Sequence, residues 1–241
     1  MKNIIHLGIT MWLLLLTAVQ AVEETTLTPK GKLSFVNKFV WRGFNLNDNW
    51  NIQPEFSIEM AGITLGYWGS YHWESDESYY NEHDIYIGYE WAYPDTVLNF
   101  KVGYNYYKFP LLLEDNETHE LWFGADLDIL FKPSLILFVD VVDKDKGGGD
   151  GEYLIASISH EWKLVDEVAV MLDTTLGYNY KQYIDENGFA DLVPSVTVSW
   201  ALYEHFIIEA KLSYSYLLDK DIQEAMNSDN EFIAMFSVKM V

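Results

Sequence analysis

The sequence predicts an all-β fold, a closed antiparallel transmembrane β-barrel of about 12 strands. Three observations support this prediction. Apolar and polar residues alternate along many segments, with the two-residue period of a β-strand. The connections between these segments alternate between short and long. Aromatic residues make up 16% of the chain and cluster at both ends of the segments, as expected where a barrel meets two membrane interfaces.

The clearest alternation lies between Trp50 and Trp73. Every second residue from Trp50 to Met60 is apolar, and the residues between them are polar. The dipeptide Ala61-Gly62 interrupts this run, and the same alternation then resumes. The pattern predicts a hairpin with a very short turn. Each strand has the length of about 9–11 residues that a tilted strand needs to cross a bilayer.

The segment before this hairpin, Lys32 to Arg42, predicts the first strand. Its apolar residues share one face, whereas Lys38 and Arg42 lie on the other. A cationic side chain that faces lipid near mid-membrane costs about 2–4 kcal/mol, so the face with Lys38 and Arg42 is assigned to the interior. Residues 43–49 are predicted to be a polar loop.

The same alternation predicts nine further strands. Their outward-facing residues span Ile85–Trp91, Leu98–Tyr106, Leu121–Ile129, Leu135–Val142, Leu154–Trp162, Val168–Tyr178, Leu192–Trp200, Phe206–Tyr216 and Phe232–Met240. Pro54 and Pro194 lie inside predicted strands and cannot donate a ladder hydrogen bond, so a bulge or kink is expected at both.

Aromatic residues are predicted to form two girdles. Those at the ends with long connections are Trp41, Trp50, Trp73, Tyr106, Tyr178 and Tyr214. Those at the ends with short connections are Trp91, Phe131, Trp162, Trp200 and Phe206.

The N-terminus has the features of a secretory signal. A basic residue at position 2 precedes an apolar run and small residues before position 22. The predicted organisation is a signal peptide over residues 1–21, a short tail over 22–30 and the barrel domain over 31–241. This predicts export to the outer membrane of a Gram-negative bacterium, and the chain has no cysteine for disulfides.

The formal net charge of −22 indicates which partners to expect. A strongly acidic chain repels nucleic acid and attracts cations. The expected partners are outer-membrane lipid and lipopolysaccharide, together with small solutes or cations. Whether the protein is a monomer or a homo-oligomer such as a trimer is left open.

Charged residues on the predicted inner faces are candidate pore-lining residues. They are Lys38, Arg42, Glu55, Glu59, Asp84, Glu90, Lys101, Asp126, Asp128, Asp140, Asp173, Glu209 and Lys211. In an open lumen this excess of carboxylates would favour cations. The alternative is that these charges pair across a packed interior, because a barrel of about 12 strands lies between filled eight-stranded and open sixteen-stranded barrels.

An outward-facing catalytic pair is the enzymatic alternative. A barrel lipase needs a serine and a histidine together on the outer face. His83 and His160 are predicted to face outward, but near opposite interfaces and without a serine beside them. The sequence therefore predicts no enzyme, no catalytic residue, no cofactor and no metal site.

Three short motifs resemble those of the TorF-type porins, a bacterial outer-membrane family. They are the run from Asn37 to Phe44, the pair Gln53-Pro54 and the run from Gly66 to Ser70. Within them the family-motif residues are Trp41, Arg42, Gly43, Gln53, Pro54, Trp68, Gly69 and Ser70. The resemblance covers about the first quarter of the exported chain and implies an outer-membrane barrel that acts as a porin. It implies no defined substrate, and the chain departs from the usual aromatic C-terminus by ending in Met240-Val241.

The sequence thus favours a passive channel for small solutes that prefers cations. The alternative is a non-conducting barrel whose acidic external loops serve in adhesion, as a receptor or in stabilising the envelope.

Overall fold

A computed structural model describes residues 26–73, 81–109 and 117–241, so the predicted signal peptide lies outside the described residues. The strands are β1 (Thr28–Val36), β2 (Phe39–Trp41), β3 (Phe44–Asn47), β4 (Asn51–Met60), β5 (Ile63–His72), β6 (Glu82–Ala92), β7 (Leu98–Lys108), β8 (Glu117–Leu127), β9 (Ser134–Asp140), β10 (Glu152–Lys163), β11 (Val168–Tyr180), β12 (Asn187–Tyr203), β13 (Phe206–Leu217) and β14 (Glu231–Met240). All except β2 and β3 form one closed barrel, which confirms the predicted fold class.

The barrel is antiparallel throughout and closes between its first and last strands. Apart from β1, each barrel strand pairs with its neighbours in chain order, and β1 pairs with both β4 and β14. At the closure Leu33 lies opposite Val238, and the hydroxyls of Ser34 and Ser237 are 3.0 Å apart. Closure leaves no barrel strand with an unpaired edge.

The two faces of the barrel strands differ as the alternation predicts. Large apolar side chains cover the outer surface, and Phe56 and Ile85 are 62% and 52% exposed. Small polar side chains such as Ser34, Ser70 and Thr118 are buried on the inner face. An exposed apolar surface of this extent is unstable in water and is suited to a lipid environment.

The connections define two ends of the barrel. The short-turn end carries connections 61–62, 93–97, 128–133, 164–167 and 204–205, and the long-loop end carries 37–50, 73–81, 109–116, 141–151, 181–186 and 218–230. Because β12 begins early at Asn187, connection 181–186 is no longer than 128–133. Two helices lie at the long-loop end, a 3₁₀-helix over Lys144–Lys146 and the α-helix α1 over Lys220–Met226. None of the described helices is long and apolar enough to span a membrane.

The first strand differs from its prediction. Strand β1 ends at Val36, where Asn37 closes the ladder: its amide N–H donates to Ala234 O at 3.1 Å and its Oδ1 accepts from Ala234 N at 2.8 Å. Phe39–Trp41 then pairs with Phe44–Asn47 as a separate hairpin. The prediction of one strand over Lys32–Arg42 followed by a polar loop is therefore wrong. A hairpin and a barrel strand share the two-residue period, so the pattern could not separate them.

Two smaller predictions also fail. Trp41 lies in the hairpin and not in the outer girdle, whereas Trp50 and Trp73 are exposed as expected. Asp128 is not on an inner strand face, because β8 ends at Leu127 and the Asp128 N–H bonds Val97 O at 2.7 Å in the short connection.

Of the bulge or kink expected at each proline, the bulge is absent. The pairing register continues unchanged on both sides of Pro54 and Pro194. Neither position is a bulge. At each proline, the strand keeps its ladder pairs with one neighbouring strand and lacks them with the other. The register shifts lie elsewhere, between Leu176 and Tyr178 and between Ala201 and Tyr203.

Candidate functional site: a hairpin and a cavity in the lumen

The hairpin formed by β2 and β3 enters the lumen at the long-loop end and reaches the opposite wall. Its tip residue Arg42 makes a two-pronged ion pair with Glu120 on β8, with N–O distances of 2.5 and 3.0 Å. Arg42 also donates to Gln182 Oε1 at 2.7 Å. The Arg42 and Glu120 side chains are only 6% and 0% exposed. The hairpin is thereby fixed across the lumen by a buried, bidentate contact.

The polar groups around this ion pair have hydrogen-bond partners. Glu120 accepts further hydrogen bonds from the Tyr107 hydroxyl at 2.6 Å and from Gln182 Nε2 at 2.7 Å. The Arg42 guanidinium lies 4.3 Å from the ring centroid of Phe138 and 4.9 Å from that of Tyr153. Burial alone lowers the pKa of Arg42, but attraction to Glu120 outweighs it and leaves the pKa raised. Arg42 therefore remains charged in this dry setting.

The tip of the hairpin requires glycine at position 43. Arg42 and Gly43 have φ of 51° and 84°, the left-handed backbone of a tight hairpin turn. A Cβ atom on Gly43 would lie 2.8 Å from Leu217 Cδ2 and 3.3 Å from Met226 Sδ. The tip thus fits closely beneath the loop that carries helix α1.

The base of the hairpin is held by a second polar cluster. Lys38 pairs with Glu231 on β14 and with Asp48 at 3.2 Å, while Asn45 Nδ2 donates to both carboxylates at 2.7 Å. Partial burial lowers the pKa of Lys38, but the hydrogen bonds to Glu231 and Asp48 outweigh it and the pKa is raised. Both ends of the hairpin are therefore anchored to the barrel wall.

An apolar cluster covers the hairpin from the long-loop end. It comprises Tyr153, Ile184, Ala190, Leu217, Ile222 and Met226, with Phe44 of β3 packed against it. Helix α1 begins at an N-cap, Asp219, whose side chain accepts from the Asp221 and Ile222 amides. Helix α1 and connection 181–186 thus contribute to a packed core inside the barrel mouth.

A cavity of about 450 Å³ lies against the hairpin within the lumen. One side, on β5 to β7, carries Trp68, Glu82, Asp84, Tyr86, Asn105 and Tyr107. The other side, on β9 to β14, is mainly apolar and carries Phe138, Ile155, Val193 and Ile233, together with Thr175, Ser215 and Asp191. Its volume is within the range of about 300–1,000 Å³ that is usual for small-molecule sites.

Acidic side chains dominate the charge of this cavity. Asp191 accepts a hydrogen bond from the Tyr153 hydroxyl at 2.6 Å. No amide, hydroxyl or cationic side chain among the described residues donates to the buried atoms Glu82 Oε2 and Asp84 Oδ1, but the two carboxyl groups hydrogen-bond each other. A hydrogen bond between two carboxyl groups requires a proton on one of them.

The rest of the lumen is lined by ion pairs. Lys101 lies 3.3 Å from Asp126, Lys211 lies 3.3 Å from Asp173, and Lys239 lies 2.7 Å from Glu209. Lys30 pairs with Glu59 at the short-turn end. A second cavity of about 270 Å³ lies there, lined in part by Lys30, Lys32, Glu55 and Lys239.

The structure places the other predicted pore-lining residues as follows. Glu55 accepts from the Tyr86 hydroxyl at 2.8 Å, and Glu90 lies opposite Lys101 in the ladder between β6 and β7. Asp140 is buried near the mouth, where it accepts from the Thr118 hydroxyl at 2.7 Å. Lys38 and Arg42 do lie in the interior, but on the hairpin instead of on the first strand. A role in lining a pore stays a prediction for all of them.

Some of the family-motif residues lie in or against the hairpin, and others join β4 to β5. Phe39, within the first motif run, packs on Trp68 with ring centroids 5.6 Å apart. Gln53 Nε2 donates to the Ser70 hydroxyl at 3.2 Å across β4 and β5. A Cβ atom on Gly69 would lie 2.8 Å from the Tyr67 hydroxyl, so the outer wall is tightly filled there.

Sequence reasoning missed several residues that shape this site. Glu82 and Glu120 could have been found, because they continue the inward alternation that Asp84 and Trp122 belong to. Gln182 lies in a connection between two left-handed residues, Lys181 and Tyr183, and no periodic signal marks it. Its role depends on where the loop folds.

The outward-facing histidines contact aromatic residues. His83 Nδ1 lies 2.7 Å from the Tyr67 hydroxyl, and His119 bonds the Tyr104 hydroxyl. His160 packs on Trp162 with ring centroids 4.4 Å apart. Among the described residues, no group of three or more His, Cys, Asp or Glu side chains is arranged to hold a metal ion.

Comparison with known proteins identifies the architecture. No protein-family model and no curated protein sequence matches the chain significantly. Among solved structures, the fold is similar to the NanC porin, with a TM-score of 0.58 and 8% identity over 89% of this chain and 100% of that chain. The KdgM porin has a TM-score of 0.56 and 9% identity over 88% and 98% of the two chains.

Two further comparisons agree. An outer-membrane channel from Pseudomonas putida F1, described as COG4313, has a TM-score of 0.54 and 7% identity over 91% of this chain and 96% of that chain. The KdgM porin has also been solved in complex with disordered oligogalacturonate. At these identities the likeness shows a shared fold, a closed β-barrel.

Proposed function

We propose that this chain is an outer-membrane channel that passes small solutes by passive diffusion and prefers cations. The closed barrel with an apolar outer surface supports the membrane location. The signal features of residues 1–21 support export, and barrels of this kind place their long loops outside the cell. In that orientation the hairpin lies at the external mouth.

The charge of the lumen is the observation that carries the cation preference. Lys101, Lys211 and Lys239 each pair with a carboxylate, so their charges are largely neutralised. Glu55, Asp140 and Asp191 on the inner faces accept hydrogen bonds from hydroxyl groups and form no ion pair with a described residue. A lumen with unneutralised carboxylates and low-dielectric walls has a negative potential, which favours cations.

The negative charge of the lumen also favours solutes that differ from the ligand of one structural neighbour. The KdgM porin was solved with oligogalacturonate, an acidic oligosaccharide. The cavity of the present chain would repel such a ligand, because Glu82, Asp84 and Asp191 line it, and the one cation among its described lining residues, Arg42, is paired with Glu120. The shared fold therefore carries a different solute preference in this proposal.

A second candidate function is a non-conducting barrel with an external role in adhesion, reception or envelope stability. The hairpin favours it, because Arg42 and Glu120 close a dry contact across the lumen. The acidic long loops would then act at the cell surface, together with lipopolysaccharide. Monomeric and trimeric forms are compatible with either candidate.

Planar-bilayer recordings distinguish the two functions. The purified barrel is inserted under a KCl gradient, next to a variant in which residues 38–48 are replaced by a short Gly-Ser linker. We expect a small current with a cation-selective reversal potential for the wild type and a larger current for the variant. Electrical silence in both proteins would support the non-conducting barrel. An anion-selective reversal potential would contradict the proposed preference.

The resemblance to TorF-type porins is part of this proposal. It is supported by the way the motif residues meet, since Phe39 packs on Trp68 and Gln53 bonds Ser70. A hairpin folded into the lumen gives a physical reason for such a motif, because Trp68 packs on the hairpin while Gln53 and Ser70 join the two strands beside it. The substitution Trp68→Ala is expected to raise the bilayer conductance above that of the wild type. An unchanged conductance would argue against a role of Trp68 in holding the hairpin.

A further inference from the structure

We propose that the lumen wall formed by β5 to β8 binds uncharged sugars by stacking their rings on aromatic side chains. This rests on the proposed function, because it names a class of organic solute that the channel would pass. Two inward-facing aromatic side chains carry the inference, Tyr86 on β6 and Trp122 on β8. Both are half-buried, and each lies over the glycine backbone of a neighbouring strand.

The glycines let both rings lie flat against the wall. A Cβ atom on Gly66 would overlap the Cζ, Cε2 and hydroxyl atoms of Tyr86, so this ring covers the backbone of β5 face-on. A Cβ atom on Gly103 would overlap Cζ2 and Cε2 of Trp122, and one on Gly88 would lie 3.1 Å from Cζ2 and Cη2. The indole thus covers β7 and reaches β6. The two rings form one surface, the aromatic platform, across three strand spacings or roughly 14 Å.

Hydrogen bonds fix the edges of both rings and leave one face of each free. The Tyr86 hydroxyl donates to Glu55 at 2.8 Å, and Trp122 Nε1 donates to Asn105 Oδ1 at 3.1 Å. Within the described ranges neither ring contacts another aromatic ring, whereas Trp68 on the same wall packs on the hairpin. Since both side chains are half-buried, the face turned away from the wall is accessible from the lumen. The platform is thus held in place before any solute arrives.

A sugar ring matches such a surface. One face of a pyranose consists of C–H groups that pack on an aromatic ring, whereas its hydroxyls point sideways and need hydrogen-bond partners. The cavity beside the platform supplies polar groups, with Tyr86 and Asn105 on one side and Thr175, Asp191 and Ser215 on the other. Ser215 is 1% exposed, and its Oγ has no hydrogen-bond partner among the described residues. Buried hydroxyls nearly always have a partner, so this one indicates a place for a hydroxyl of the ligand.

The charge of the lumen restricts the class to sugars without a negative charge. Glu55 and Asp191 each accept a hydrogen bond from a tyrosine hydroxyl, which is the kind of donor that a sugar hydroxyl also provides. A sugar acid would bring a further carboxylate into this negative potential and would be repelled.

The alternative is that the rings only cover the glycine backbone, as aromatic side chains do at glycines in other sheets. Saturation-transfer NMR with maltose separates the two roles on the refolded full chain, in a detergent that has no sugar headgroup. Sorbitol is the matched probe without a ring, because it carries comparable hydroxyls on an open chain. Glucuronate is the probe that keeps the ring but adds a negative charge.

Two variants disturb the platform in different ways. Trp122→Leu removes the indole, and Gly66→Ala displaces the Tyr86 ring, because the three atoms nearest the new Cβ all belong to that side chain. Tyr86→Phe is the conservative variant, which keeps the ring and loses only the hydroxyl. Trp91→Leu is the control, because Trp91 stacks on Phe100 on the outer face. Folding of each protein is checked by its heat-dependent mobility on gels, and either platform variant suffices for the test.

We expect saturable binding of maltose to the wild type, Tyr86→Phe and Trp91→Leu, with saturation entering the C–H protons of the sugar rings. Binding should weaken about fivefold or more in Trp122→Leu and Gly66→Ala. Equal binding of sorbitol or glucuronate, unchanged binding in the platform variants, or no binding to the wild type would overturn the inference. Bilayer current is measured separately: sugar binding by an electrically silent protein would preserve the site and refute the channel.

Discussion

The two ends of the lumen are lined by the same alternating strands but differ in what surrounds their charges. At the long-loop end, the Arg42–Glu120 pair is 6% and 0% exposed and is enclosed by the hairpin, Tyr107 and Gln182. At the short-turn end, the Lys30–Glu59 pair is 46% and 41% exposed. The first pair is almost entirely shielded from solvent, and the second is largely solvated.

This difference shows why the presence of a charge pair does not by itself indicate its importance. Removing one partner of a buried pair leaves an uncompensated charge in a low dielectric, whereas water compensates at an exposed site. Substitutions at the two ends should therefore differ several-fold in their effects on the free energy of unfolding.

The largest effect is expected for Glu120→Ala. The substitution leaves Arg42 buried without its carboxylate and should lower the free energy of unfolding by about 3–5 kcal/mol. Urea titration of the barrel in lipid vesicles measures it. The control is Arg42→Met/Glu120→Met, which should recover much of the loss because no unpaired charge remains. A loss below about 1 kcal/mol for Glu120→Ala would mean that the hairpin is not held by this pair.

A smaller effect is expected for Tyr153→Phe in the apolar cluster. Tyr153 is 1% exposed and donates its hydroxyl to Asp191 at 2.6 Å. Losing this bond to a buried carboxylate should cost about 1.5–3 kcal/mol in the same urea titration. Tyr178→Phe is the control on the outward face, where no loss is expected. Equal losses of stability in the two variants would contradict a stabilising role of the hydrogen bond between Tyr153 and Asp191.

Next in size is Gly43→Ala at the tip of the hairpin. Alanine at φ of 84° is strained, and its Cβ would lie 2.8 Å from Leu217 Cδ2. We expect a loss of about 1–2 kcal/mol and a rise in bilayer conductance as the tip is displaced. Gly31→Ala is the control, because the nearest atom there is 3.8 Å away. If Gly43→Ala changed neither the stability nor the conductance, close packing of the hairpin tip would be ruled out.

The smallest effect is expected for Lys30→Ala at the short-turn end. Because Lys30 and Glu59 are well exposed, the loss should be about 0–1 kcal/mol and should shrink further at high salt. Urea titrations at low and high KCl measure this directly. A loss that matches Glu120→Ala would remove the contrast between the two ends.

The interior charges show how far the sequence could predict the site. The strand period predicts inward-facing side chains at Asp84, Lys101 and Glu209. Extending the same period along the strands would have added Glu82 and Glu120. The pairing of Arg42 with Glu120 and Gln182 could not be predicted, because 78 and 140 residues separate them in sequence. No local rule connects such distant positions.

The chain by itself determined the barrel. Alternation sets which face meets lipid, turn residues such as Ala61-Gly62 set where strands reverse, and closure follows because an open edge in lipid would leave backbone groups unpaired. Only the tertiary structure decided that Phe39 to Asn47 leaves the wall and enters the lumen. A segment with period two can pair in the barrel or with itself, and the choice depends on partners that the rest of the fold supplies, chiefly Asn37 against Ala234 and Arg42 against Glu120.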